Sequence, residues 1–468
     1  MNAGPSAATV ASPRTRVPRF MRLLHRSYFL GSGVGHFLMR RIRPAGMALG
    51  VVLMVGSTLV MGQPRDSVNG VCSMAFGLML MGLFTVVGRR ATVTAVREIP
   101  RHATVGEPID YTIRVTHEGR RKLRRAWLLE VPPDPRPSLA EFVARREPGE
   151  EQRNLFDRRF IYYRWQWMMA CKRLFVGGAS EDEIRLVPGQ SVAVTVRLIP
   201  QRRGVIWLDD LRMLLPDSLG LFQRCWVVAA PAATVTVLPR RFRLPPIEMP
   251  GSARFQIGGD ATSNSIGNSG EFVGLRDYRK GDSLRQIHWK SWARMGRPIV
   301  KELEDTHYPR YGLVLDTFAG TGEAALFEDA VSVAASFAAT IDTHESLLDL
   351  MFIKDQAHVV TAGRGLARAE KLLEVLAAVQ SEATPDFDQL LRLVLRHRDE
   401  LTSCLVVLAG WDERRHAFTR ALTKGGIQAV PIIVGEGPPP PLVPGHWVQS
   451  GFLERDLRRL PTRLGAVS

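Results

Sequence analysis

The chain has 468 residues, 45% of them apolar and 23% charged, with a formal net charge of +16. That length exceeds one compact domain and predicts two or three folded units, while the apolar content excludes an intrinsically disordered chain. Cysteines at 72, 171, 225 and 404 form no CxxC pair and have no histidine at ligand spacing. That pattern argues against a disulfide framework and a thiolate zinc site, and fits a reducing compartment.

Residues 1–43 contain eight arginines and no acidic residue, so half of the excess charge sits in under a tenth of the chain. We read this start as an Arg-rich cytoplasmic tail attracted to anionic lipid head groups; its composition also resembles an organelle transit peptide. The runs PAGMALGVVLMVGSTLVMG (44–62) and VNGVCSMAFGLMLMGLFTVVG (68–88) hold no charged residue. A span needs about 20 mostly apolar residues, which the second run supplies comfortably and the first at the short end. Arg40, Arg41 and Arg43 bound one side and Arg89 and Arg90 the other, abrupt edges that two buried core helices would not need. The loop 63–67 has one arginine offset by one aspartate, so the positive-inside rule puts both long flanks in the cytoplasm. The expectation is a transmembrane helical hairpin at 44–88, with the N-terminus and the soluble body cytoplasmic.

From 91 to 245 the apolar residues alternate with period two. Segments 92–97, 109–115, 125–131, 192–199, 205–214, 226–229 and 235–238 are predicted strands, separated by Gly, Pro and charged turns. Such spacing predicts an all-β, sandwich-like domain or a related open barrel. The stretch 141–180 carries Phe160, Tyr162, Tyr163, Trp165 and Trp167 among arginines and breaks the rhythm. It reads as an insertion or a long hairpin facing the membrane or a partner. The basic run at 120–125 reads as a solvated hairpin tip. Aromatic and basic residues interleaved at 158–175 suit base stacking, but no nucleic-acid module signature accompanies them and no nucleic acid is expected.

Between 270 and 301 the chain reads GEFVGLRDYRKGDSLRQIHWKSWARMGRPIVK. Gly270, Phe272, Leu275, Arg276, Tyr278, Gly281, Asp282, Arg285, Ile287, Trp289, Ala293 and Arg294 fall in register with the pattern G-x-F-x-x-L-R-x-Y-x-x-G-D-x-x-R-x-I-x-W-x-x-x-A-R. The segment closely resembles the signature of the domain of unknown function 58 family. Arg203–Gly204, the PDSLGLF run at 216–222 and Leu238–Pro239–Arg240 resemble further landmarks of that family. The resemblance implies a bacterial cytoplasmic (inner) membrane anchor, a von Willebrand factor A-like C-terminal domain and association with MoxR-type AAA+ ATPases. On its own residues, the signature reads as a clamp within a joining segment at 246–305. Asp282 suits a helix N-cap and Gly296 a stop, predicting a helix over 283–294 with Arg285 and Trp289 on one face. Arg276, Arg285 and Arg294 are each within reach of Glu271, Asp277 or Asp282. His288 has no Ser or Cys nucleophile at a recognisable elbow and is read as structural.

Over 306–435, strands predicted at 311–315, 348–353, 403–409 and 427–434 alternate with helices at 323–340, 367–380, 387–396 and 413–423. That is a doubly wound α/β pattern. The implied von Willebrand factor A-like domain would place a hard cation such as Mg²⁺ at Asp316, with Asp412 as a second carboxylate. Phe318 and Gly320 stand at the serine positions and cannot coordinate through side chains, while Thr317 and Thr321 are off-register. The metal site is therefore expected to be degenerate, and no cofactor is expected. GPPPPLVPG at 437–445 and the Arg-rich end make 436–468 a stiff linker and a small terminal helix.

The functional expectation is a membrane-anchored, non-enzymatic scaffold or adaptor working with a MoxR-type AAA+ ATPase in assembly or envelope maintenance. Two alternatives are a metal-assisted hydrolase using Asp316, Asp412, His288 or Glu271, and a basic binder of membrane surfaces or nucleic acid.

Overall fold

The computed structural model describes residues 18–62, 66–87, 91–120, 122–250, 271–304, 309–320, 324–341, 346–363, 369–382, 384–441 and 443–465. The chain divides into two compact units, Met1–Leu238 and Pro239–Ser468.

The first unit opens with helices α1 (Arg19–Met39), α2 (Pro44–Gly62) and α3 (Asp66–Val87). The stretch read as an Arg-rich tail is thus helical from residue 19. Alpha1 is amphipathic, and Leu24 on it packs with Phe142, Ile161, Trp165 and Met168 in a small apolar cluster. These partners come from the stretch expected as an insertion or a long hairpin, which forms no hairpin but folds into α4 (Leu139–Ala144), α5 (Leu155–Phe160) and α6 (Tyr162–Lys172). The switch has local causes. Ser138 and Glu141 close a capping box that starts α4, and Asn154 caps α5 by accepting from the Asp157 N–H. Arg164, 4% exposed, reaches Glu150 and the Phe142 carbonyl and so ties this subdomain together.

Among the described residues one helix, Val68–Val86, is long and apolar enough to cross a membrane, and the apolar part of α2, Pro44–Leu59, is shorter. Alpha2 and α3 pack side by side, with a Cβ added at Gly56 falling 2.3 Å from the Cys72 Sγ. Gly56 therefore sets the closeness of the pair. The PDSLGLF run anchors the joint before α2: the Arg43 N–H donates to the Leu221 carbonyl (2.9 Å) and the Gln223 N–H to the Arg41 carbonyl (2.8 Å).

The β-rich part comprises β1 (Val93–Glu98), β2 (His102–Thr104), β3 (Ile109–His117), β4 (Leu123–Glu130), β5 (Phe175–Ser180), β6 (Ile184–Leu186), β7 (Ser191–Pro200), β8 (Gly204–Leu208), β9 (Leu211–Pro216), β10 (Gln223–Val227) and β11 (Ala233–Leu238). The predicted strand 205–214 splits at Asp209–Asp210 into β8 and β9. The last residues of the expected insertion, 175–180, form a core strand. An eight-stranded sheet runs β1-β3-β7-β5-β4-β9-β10 with β6 on β4, and a second sheet runs β2-β11-β8. Residues of both sheets, including Ile113, Val196, Leu198, Ile206, Leu208 and Val237, share one core.

The larger sheet curls. Its first strand is bridged to the segment just after its last, Thr94 against Ala229. Arg97 on β1 forks onto Glu130 on β4 at 3.0 and 2.8 Å, both side chains buried. Those strands lie four places apart, roughly 19 Å in a flat sheet, so only curvature brings them together. Tyr111 donates to the same carboxylate (3.2 Å), and its phenol pKa is pushed up by burial and then by the Glu130 charge.

The second unit holds a two-stranded ribbon, β12 (Glu271–Asp277) with β13 (Ile299–Glu304), enclosing the short helix α7 (Trp289–Met295). Then come β14 (Arg310–Leu315), α8 (Ala324–Thr340), β15 (Leu347–Lys354), β16 (Gln356–Ala362), α9 (Ala369–Ala378), α10 (Phe387–Arg396), β17 (Ser403–Ala409), α11 (Glu413–Lys424), β18 (Ala429–Gly435), β19 (His446–Gln449) and α12 (Leu453–Leu457). The sheet order is β16-β15-β14-β17-β18-β19. All neighbours are parallel except β16, which returns antiparallel on β15. Every residue of β17 and β18 is buried, as expected of strands covered on both faces. The stretch 436–468 is more than a linker and a helix, because β19 adds a sixth strand. Trp447 on it lies over Gly435, where an added Cβ would sit 2.2 Å from the indole, and donates to the Gly437 carbonyl (3.1 Å).

Candidate functional site

Strand order reverses between β14 and β17, since the chain runs to β15 on one side of β14 and to β17 on the other. Ligands of open α/β sheets collect at the carboxyl ends beside such a switch point, and this is where Asp316 and Asp412 sit. Asp316 follows β14 and is fully buried. Its Oδ1 accepts the Phe318 N–H (2.9 Å), and its Oδ2 accepts the Ala409 N–H (3.2 Å) and the Arg415 Nε–H (2.7 Å). The same guanidinium donates to Asp412 Oδ2 (2.8 Å) and to the Phe318 carbonyl (2.7 Å). Burial pushes the Asp316 pKa up, opposed by the Arg415 charge and the two backbone donors.

The donor set does not suit a divalent cation. A hard cation needs several convergent oxygens, whereas a permanent positive charge already stands between the two carboxylates. Asp412 is the N-cap of α11, accepting the Arg415 N–H at 2.8 Å. Thr317 turns its hydroxyl to the Ile353 carbonyl (2.8 Å). Phe318 is buried edge-on against Phe387, ring centroids 4.9 Å apart, and Thr321 lies outside the described residues.

Arg415 was missed from sequence although a signal was there. It occupies the third position of α11, in the first turn of a helix, where the dipole favours acids. A buried arginine there needs strong carboxylate partners. No thiol competes as a nucleophile in this unit: Cys404 is buried and its pKa is pushed up to about 12 by burial.

The signature segment departs from the expected clamp. Its helix is shorter than 283–294: Leu284–Gln286 form a 3₁₀ turn and α7 spans Trp289–Met295, stopped by Gly296 at φ +67°. Asp282 caps no helix. It takes a two-pronged bond from Arg276 (2.7 and 2.8 Å) and the Arg279 N–H (2.7 Å), which together hold its carboxyl down at about 2. Asp277 pairs with Arg297 instead (3.0 Å).

Arg285 and Arg294 are exposed and have no ion-pair partner among the described residues. Gly281 makes the turn at φ +116°, Ile287 is buried and bridges Val300, and the Tyr278 N–H donates to the Pro298 carbonyl (3.0 Å). Gly270 lies outside the described residues, as do the side chains of Glu271 and Phe272.

Trp289 is 64% exposed. It stacks on Trp292 with centroids 5.2 Å apart and an interplanar angle of 16°. Leu284 and Met295, also in the segment, are 67% and 60% exposed. His288 has a hydroxyl beside it, its Nδ1 2.6 Å from the Ser291 Oγ. The pair lies at the first turn of α7, and no carboxylate orients the ring among the described residues, so the triad logic of an activated serine is missing.

Residues 274–425 match the model of a family described as "Protein of unknown function DUF58". The match takes in the ribbon from residue 274 onward and the residues Asp316, Asp412 and Arg415, and ends before β18. No curated protein matches the chain. Among solved structures, the crystal structure of a CARDB domain from Pyrococcus furiosus in complex with di-metal ions is similar at 10% identity. It covers 32% of this chain and 89% of that one, with a TM-score of 0.16. A solution NMR structure of the same domain matches at 12% identity over 31% of this chain and 94% of that one, also with a TM-score of 0.16.

Proposed function

We propose that this protein is a membrane-anchored, non-enzymatic adaptor whose second unit, a von Willebrand factor A-like domain in our reading, docks a protein partner. One observation carries the docking role: within the signature segment, Trp289 stands 64% exposed. Trp289, stacked on the half-buried Trp292, is costly to leave in water, and the same segment exposes Leu284 and Met295 together with Arg285, Lys290 and Arg294. Buried aromatic anchors with a charged rim are how protein interfaces concentrate their energy. The adaptor reading is further supported by Asp316, whose oxygens are engaged by Arg415 and backbone N–H groups and are not free for hydrolysis.

The anchor is α2 and α3. The exposed apolar surface of both helices asks for a lipid cover, and the arginines at the outer ends of the pair support a cytoplasmic body. From the signature's resemblance we take the partner to be a MoxR-type AAA+ ATPase.

The test is in-cell crosslinking of the full chain, followed by mass spectrometry of what co-purifies in mild detergent. Crosslinks from 284–297 to an AAA+ ATPase, lost on Trp289→Ala together with Trp292→Ala, support the proposal. Hydrolytic turnover that needs Asp316, with no ATPase recovered, overturns it.

A further inference from the structure

A cleft of about 920 Å³ lies within the first unit, lined by α1, the joint before α2, the 131–136 loop and the β5, β9 and β10 side of the curled sheet. Five arginines line it against three aspartates, so its walls are net positive even before His36 is counted. The charges are not evenly matched. Arg136 holds Asp134 through its Nε at 2.8 Å, and Arg212 holds Asp210 through its NH2 at 2.7 Å. That leaves Arg40, Arg41 and Arg173 facing the cleft, with Asp209 as the one further acid on the wall. None of the three makes an ion pair among the described residues.

Two of them sit on the turn directly before Pro44, where the apolar helix begins, and the turn is fixed by the Gln223 N–H donating to the Arg41 carbonyl (2.8 Å). Arg41 also lies over the Phe37 ring, 4.5 Å from its centroid; guanidinium groups that line one cleft without ion-pair partners are suited to a tetrahedral oxyanion, which accepts several N–H groups at once.

We propose that this cleft binds a phosphate ester, with Arg40, Arg41 and Arg173 as its donors. Its place at the foot of α2 makes the head group of an anionic phospholipid the natural source, and that clause rests on the membrane reading above. A soluble phosphate would be recognised by the same groups.

The full chain is purified in mild detergent, and native mass spectrometry and titration then follow binding of phosphatidylglycerol, phosphatidylcholine and inorganic phosphate. Anionic lipid is expected to bind more tightly than phosphatidylcholine. Arg40→Gln, Arg41→Gln and Arg173→Gln are each expected to weaken it about tenfold, with thermal unfolding unchanged. Arg19→Gln with Arg26→Gln, on α1 outside the cleft, controls for diffuse attraction and is expected to have little effect.

Equal binding by wild type and the Arg40→Gln/Arg41→Gln/Arg173→Gln variant, or equal loss in the α1 control, overturns the site. Inorganic phosphate bound through the three arginines, with no preference among lipids, keeps the site and assigns it to a soluble ligand. Failure of the full chain to associate with bilayers of any composition refutes the membrane reading, while the phosphate titration still decides the cleft.

Discussion

Replacing Arg415 tests whether a side chain has taken the place of a cation at the sheet's carboxyl end. Arg415→Met removes the Nε–H bond to Asp316, the bond to Asp412 and the bond to the Phe318 carbonyl. It leaves the fully buried Asp316 with only the N–H groups of Phe318 and Ala409. Removing one partner of a buried ion pair costs roughly 3–5 kcal/mol, because the survivor keeps its desolvation penalty. For a unit of this size that corresponds to a fall of about 6–20 °C in melting temperature. The assay is a double-mutant cycle by thermal and urea unfolding, with Asp316→Asn as the second change. Asparagine keeps a carbonyl acceptor and drops the charge, so Arg415→Met in that background is expected to cost less than half as much. Added Mg²⁺ is expected to leave the wild type unmoved. The reasoning fails if Arg415→Met costs the same in both backgrounds, or if Mg²⁺ raises the melting temperature of the wild type.

Further outcomes follow from other named contacts. Arg97→Met leaves Glu130 buried and uncompensated in the curled sheet, and is expected to cost roughly 3–5 kcal/mol by urea unfolding; a loss under about 1 kcal/mol would show that the pair does not hold β1 to β4. Gly56→Leu drives a side chain into Cys72 and is expected to cost about 1–3 kcal/mol in detergent unfolding, with disulfide crosslinks between cysteines placed on α2 and α3 reporting their separation; unchanged crosslinking would refute the close approach. Glu141 is held at about 2 by Lys172 and then by Ser138, against an ordinary value of 4.5. Because this folded-state value is depressed, the stabilisation of α4 on α6 is complete above about pH 4.5 and is lost as pH falls toward 2. Tryptophan fluorescence of Trp165 through that window checks it, and Lys172→Met is expected to blunt the transition. Trp289→Ala, at an exposed position, is expected to shift stability by no more than about 0.5 kcal/mol while abolishing partner recovery; a large stability loss with partner binding intact would make the residue structural.

Local periodicity made much of the architecture legible in sequence. The alternation in 109–115 and 192–199 and the boundaries of α10 are set by side chains repeating on one face, and those of β17 by a continuous apolar run, both of which short-range sequence records. Ser138 with Glu141 and Asn154 with Asp157 were readable signals for helices in 139–172, but the surrounding aromatics and the neighbouring strands masked them. The start of the chain was misread for a related reason. An amphipathic helix such as α1, with three arginines in its first two turns, shows its apolar stripe as meaningful only once Phe142, Trp165 and Met168 are there to cover it.

The candidate site divides in the same way. Sequence by itself determined that Asp316 and Asp412 each come after a predicted strand of the α/β unit and so arrive at one end of the sheet, because parallel strands joined by helices share their direction. It also determined that Phe318 and Gly320 could not supply hydroxyl ligands. Only the tertiary structure decided that Arg415 fills the space between the carboxylates and that Trp289 faces water. It likewise decided that Arg97 meets Glu130 across four strands and that Arg40, Arg41 and Arg173 share a cleft. Each of these depends on contacts between residues far apart in the chain, whose geometry is fixed by sheet curvature and helix packing rather than by any local pattern.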